Sequence, residues 1–141
     1  MWRCLAWICL LSPILQIVLC GVGLGTNWSN CIGFNIHYYC SFSFAIPMLL
    51  SSCGWMGNHS SDCNPFMYVF TAVLQSIQFS IYLTLTCLQT STCYKQIASA
   101  EGWVWPTLGV FELGNMCLAW CAVSRFVKFG WRDDAQRPLV E

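Results

Sequence analysis

Glu112 and Asn115 stand three residues apart in the run Pro106 to Val127, PTLGVFELGNMCLAWCAVSRFV, and Glu112 is the only charge set well inside an apolar stretch of this chain. An ionisable group at bilayer depth costs about 2.5 to 3.5 kcal/mol on insertion scales, so such groups mark proton relays, ion paths or helix contacts. Glu112 lies roughly 6 to 9 Å past the Trp105-Pro106 boundary at 1.5 Å per residue, shallow enough for a snorkelling or protonated carboxylate. A paired or ion-contacting Glu112 is the alternative. The first is preferred because relays and transport paths usually show several intramembrane ionisable groups, and here Glu112 stands alone.

Other chemical sets are incomplete. Cys117 and Cys121 lack the C-x-x-C spacing of a thiol oxidoreductase. Cys31, His37 and Cys40 could give three metal ligands without a fourth, and a disulfide explains two of them. No Ser/His/Asp set, phosphate loop or carboxylate pair can be assembled, and both histidines, His37 and His59, fall in expected connections. No enzyme, cofactor or metal is expected. Of the cysteines near loops, Cys31, Cys40 and Cys93 share one side of the membrane in a four-span chain. They are expected to be oxidised there, Cys31 and Cys40 with each other or with Cys93. Cys9, Cys20, Cys87, Cys117 and Cys121 fall in apolar runs and read as packing residues. Asn27-Trp28-Ser29 is a glycosylation sequon.

Three further patterns suit contact between helices. Gln75 and Gln78, one turn apart, should face a bundle interior, because amides in hydrocarbon need partners. Gly21 and Gly25 form a GxxxG that permits close backbone approach. Gly114, Cys117, Cys121 and Ser124 draw a stripe of small side chains. That stripe is an interface for another helix, with packing inside the chain preferred over an external partner. Beside it Glu112, Asn115, Ala119 and Ala122 form a second face.

The elements that must position these residues follow from composition. With 57% hydrophobic and 9% charged residues against about 25% charged in soluble domains, the chain is no solvated globule. Its net charge is zero, with no basic cluster beyond the tail, so nucleic acid is excluded as a partner. An all-α integral membrane protein follows, a single domain over 1–141. Between Arg3 and Asp62, and between Asp62 and Lys95, no charge occurs. Four spans are expected at about 4–25, 38–56, 66–88 and 106–127, with a cytosolic tail over 128–141. The first reads as an uncleaved span, bent at Pro13. The second is the weakest, with Pro47 and several serines. If it does not cross, three helices remain with a Cys-rich luminal loop. Arg125, Lys128, Arg132 and Arg137 hold the last helix end in the cytosol, and only four spans keep Arg3 there too.

No family motif is recognised. The expected function is that of a small accessory or assembly subunit, packing by helix contacts against a larger membrane complex such as a channel, transporter or receptor. Membrane lipids are its other partners, and its place is the plasma membrane or endoplasmic reticulum of a eukaryotic cell. The alternatives are a free-standing or proton-coupled carrier built on Glu112 and, behind it, a membrane thiol oxidoreductase.

Overall fold

A computed structural model describes residues 2–25, 31–56, 65–89 and 102–129, with side chains over 7–25, 31–52, 66–89 and 102–124. Asn27, Cys93 and the basic side chains of the tail lie outside the described residues. All the described regular structure is helical: α1 (Trp2–Gly25), α2 (Ile32–Met56), α3 (Pro65–Gln89) and α4 (Val104–Phe129). At 24 to 26 residues, each spans about 36 to 39 Å. Three contain stretches long and apolar enough to cross a membrane, Trp7–Gly25, Phe66–Gln89 and Val104–Ser124. The fourth helix, α2, has the length, but Asn35, His37 and its serines dilute its apolar content.

α2 begins at Ile32, six residues before the expected start at Tyr38. The segment IGFNIHY reads as a polar connection when only apolar residues are counted, yet it shares one helical phase with the residues beyond Tyr38. Phe34, His37, Ser41, Ala45, Met48 and Ser52 recur at spacings of three and four and are all buried.

The helices form a ring in which α1 packs along α2, α2 along α3, α3 along α4, and α4 back along α1. Neighbouring helices run in opposite directions, the end of α1 and late α3 meeting the starts of α2 and α4. One apolar layer combines Leu19 and Cys20 near the end of α1, Phe34 and Tyr38 near the start of α2, Tyr82 late in α3, and Val104, Trp105 and Leu108 at the start of α4. A second layer, towards the other end, joins Tyr68 and Ala72 of α3 to Ala119, Ala122 and Val123 of α4.

Prolines inside helices remove a hydrogen bond, and at Pro13 a hydroxyl from the neighbouring helix makes up the loss. Pro13 cannot donate to the Cys9 carbonyl four residues earlier, and the Ser52 hydroxyl of α2 donates to that oxygen at 2.8 Å. Gln75 of α3 donates to the Phe44 carbonyl, one turn before Pro47, at 3.2 Å. Tyr68 reaches the Ser51 carbonyl at 3.0 Å. These bonds tie α1 to α2 at the carbonyl Pro13 leaves free, and α2 to α3 on either side of Pro47.

Tight approach falls at glycines other than those expected. A Cβ on Gly23 would sit 2.5 Å from the Tyr38 ring, and one on Gly109 would run into the Tyr82 ring. Gly21 and Gly25 are exposed, and a Cβ there would meet nothing within 4 Å. The GxxxG of α1 therefore makes no contact among the described residues.

Candidate functional site

Between the two apolar layers lies a polar layer to which every helix contributes: Gln16 from α1, His37 and Ser41 from α2, Gln75 and Gln78 from α3, Glu112 and Asn115 from α4. Each is at most 1% exposed. Glu112 follows the start of α4 by about 12 Å along the axis.

The Glu112 carboxylate is the hub. Its Oε1 accepts from the Ser41 hydroxyl at 2.8 Å and from Gln78 Nε2 at 2.8 Å, and it shares a 2.7 Å hydrogen bond with His37 Nε2. Ser41 is the junction. Its hydroxyl accepts from Gln16 Nε2 at 2.9 Å and from Gln78 Nε2 at 2.6 Å while donating to Glu112, which uses its one proton and both lone pairs. Gln16 Nε2 also donates to the Ser41 carbonyl at 3.1 Å, and Asn115 Nδ2 donates to Gln16 Oε1. The direction of donation is thus fixed. Turning the Gln16 amide over would set its oxygen against the Ser41 carbonyl. Protons point from Asn115 through Gln16 and Ser41 to Glu112, and chains polarised in one direction strengthen each bond.

An aromatic wall closes the site on one side. Trp105 stacks on Phe34 with ring centroids 3.8 Å apart and on Tyr82 at 4.7 Å. The His37 ring lies 5.4 Å from Trp105 and 5.8 Å from Tyr82, within the range where a cationic ring is attracted by aromatic quadrupoles. Tyr82 donates to the Trp105 carbonyl at 2.9 Å and Trp105 Nε1 to Thr86 at 3.0 Å, so the wall is itself pinned. Trp105, at the boundary expected for the last span, is 2% exposed.

No protein family model, no curated protein and no solved structure matches this chain.

Several expected positions move. Glu112 does not snorkel, because its side chain is fully buried and its oxygen is held inward by three partners. Nor does it stand alone: His37, expected in a connection, is its partner. Gln75 and Gln78 both face inward as expected, while Asn115 sits beside Glu112 on the buried face of α4. The small stripe faces the other way. Cys117, Cys121 and Ser124 are exposed, and a Cβ on Gly114 would meet nothing within 4 Å, so packing inside the chain is carried by Glu112, Asn115, Ala119 and Ala122 instead. Cys87 is likewise exposed, whereas Cys9 and Cys20 are buried as packing residues should be.

Cys40 is a free thiol and does not pair with Cys31. It sits on α2 beyond His37, two and a half turns from Cys31, too far along one helix for a bond. Cys31 is disulfide-bonded, and none of Cys9, Cys20, Cys40, Cys87, Cys117 and Cys121 is its partner. Among the described residues no three His, Cys, Asp or Glu side chains converge as a metal site. Glu112 Oε2 and His37 Nδ1 find no hydrogen-bond partner among the described residues.

Proposed function

We propose that this chain is an accessory or assembly subunit: four membrane-crossing helices that dock through the outer face of α4 onto a larger integral membrane complex such as a channel, transporter or receptor. The observation that carries this reading is the division of labour on α4. Its polar face is spent on the bundle, while Gly114, Cys117, Cys121 and Ser124 are left on the outside, where small side chains let another helix approach closely. A chain that needed the stripe for its own packing would have turned it inward.

In this reading α2 crosses as well, because His37, Ser41 and Ser52 turn into the bundle and bond to its neighbours, while Ser43 bonds to its own helix. Both termini then face the cytosol, with the basic tail, in the plasma membrane or endoplasmic reticulum. Accessibility tags at the two ends test the arrangement: neither should be reached from outside an intact cell, and a C-terminal tag that is reached rules it out.

Copurification from mild detergent tests the function. Overpacking a close contact costs about 1 to 3 kcal/mol, and each 1.4 kcal/mol is tenfold in an association constant. Gly114→Leu and Cys121→Phe should therefore release a membrane partner while the isolated chain inserts and melts as before. If the purified chain alone moves an ion or solute across liposomes in a Glu112-dependent way, the subunit reading gives way to a carrier.

A further inference from the structure

The polar layer poses a charge problem that docking does not touch. Glu112 Oε1 accepts from Ser41 and Gln78 and shares a hydrogen bond with His37, so a fully buried carboxyl faces a fully buried imidazole. The amides and the hydroxyl around it cannot take a charge, and His37 is the only described side chain able to supply a positive one beside it. A full charge at this depth is expensive unless it is cancelled. Carboxylate and imidazole together are neutral when they hold one proton between them, on Nε2 or on the carboxyl. Removal of that proton leaves a net charge of minus one in the core, and a second proton leaves plus one.

We propose that His37 and Glu112 form a buried proton-binding site, and that its single proton holds α4 against α2. The proton is taken from, and returned to, the aqueous medium, and the net charge of the site changes by one each time. The link to helix position is geometric. α2 and α4 are not neighbours in the ring, and His37 and Ser41 reach across its centre to Glu112, so these bonds close the diagonal of the bundle. An uncancelled charge draws water into the centre and favours separation of the two helices. Other titratable groups near Glu112 are Cys20 of α1, Tyr38 of α2 and Tyr82 of α3. They stay in place when Glu112 is changed, which makes Glu112→Gln the control for them. A glutamine fits the same space and can hydrogen-bond to His37 and Ser41, but it carries no charge.

Genetically encoded spin labels at Ile36 of α2 and Val110 of α4, both on the outer surface, report the separation in the full chain reconstituted in nanodiscs. The wild type should show one short distance where the site holds one proton. A longer distance should become the major population as the pH is taken to the acid or the alkaline limit of folding. Glu112→Gln should keep the short distance up to the alkaline limit, because it has no carboxylate to leave uncancelled there, and should separate only at acid pH, where His37 alone takes a proton. A wild-type distance that ignores pH overturns the proposal, as does a Glu112→Gln distance that lengthens on the alkaline side as the wild type does. Sodium chloride added at fixed pH should leave the distance unchanged, and a sodium-driven shift reassigns the site to a metal cation. Because the purified chain is measured without partners, failure here leaves the docking reading intact.

Discussion

Ser41 is a small side chain with a large share of the core, since its hydroxyl receives two amide donors and hands its own proton to Glu112. Ser41→Ala strands the Gln16 and Gln78 donors and takes one donor from the carboxylate. Leaving a buried polar group unpaired costs about 1 to 3 kcal/mol, so this variant should lose that much in thermal unfolding in detergent. Ser43 lies two residues on, is exposed, and bonds only to the Tyr39 carbonyl of its own helix. Ser43→Ala should stay within about 0.5 kcal/mol of wild type. Equal losses in the two variants would mean that the network contributes nothing beyond helix propensity. At this scale the inward amides Gln75 and Gln78 were legible in the sequence, because an amide in hydrocarbon has few alternatives. His37 was not. Apolar counting stops at Tyr38, although stepping back four residues from Ser41 in helical phase reaches His37 and three more reach Phe34.

Helix phase explains the remaining misplacements. In a nearly all-apolar helix, hydrophobicity does not say which side faces in, and a GxxxG pattern fits any face. Polar residues do carry the phase. From Gln16, steps of three and four on α1 arrive at Cys20 and Gly23, which are buried, and pass over Gly21 and Gly25, which are not. From Glu112 and Asn115 the same steps on α4 give Ala119 and Ala122 and leave Cys117 and Cys121 outside. Gly23→Ala and Gly109→Ala should therefore destabilise the chain by about 1 to 3 kcal/mol, since the added carbon meets a tyrosine ring, while Gly21→Ala and Gly25→Ala should not. Melting curves of the four variants check this, and destabilisation by Gly21→Ala would restore the GxxxG contact. The proline bend of α1 offers a second test. If the Ser52 hydroxyl replaces the backbone donor that Pro13 lacks, Ser52→Ala should cost about 0.6 to 1.7 kcal/mol in the wild type. In Pro13→Ala, whose restored N–H can bond Cys9, the cost should be much smaller. Equal costs in both backgrounds of this double-mutant cycle would separate Ser52 from the bend.

For the whole molecule, composition and charge gaps led to an all-helical chain with segments fit to cross a membrane. They did not lead to the polar centre, which is assembled from four helices far apart in sequence. The bundle divides its polar and small residues between inside and outside: a hydrogen-bonded polar layer within, and a stripe of small residues on the outer face of α4. The proposed subunit role rests on that outer stripe, and native mass spectrometry of the tagged chain extracted from its own membrane tests it most directly. The account predicts an assembly of defined mass containing a second, larger membrane protein, which dissociates in Cys121→Phe although that variant melts like the wild type. A wild-type chain that leaves the membrane as a monomer, or only with copies of itself, would contradict it.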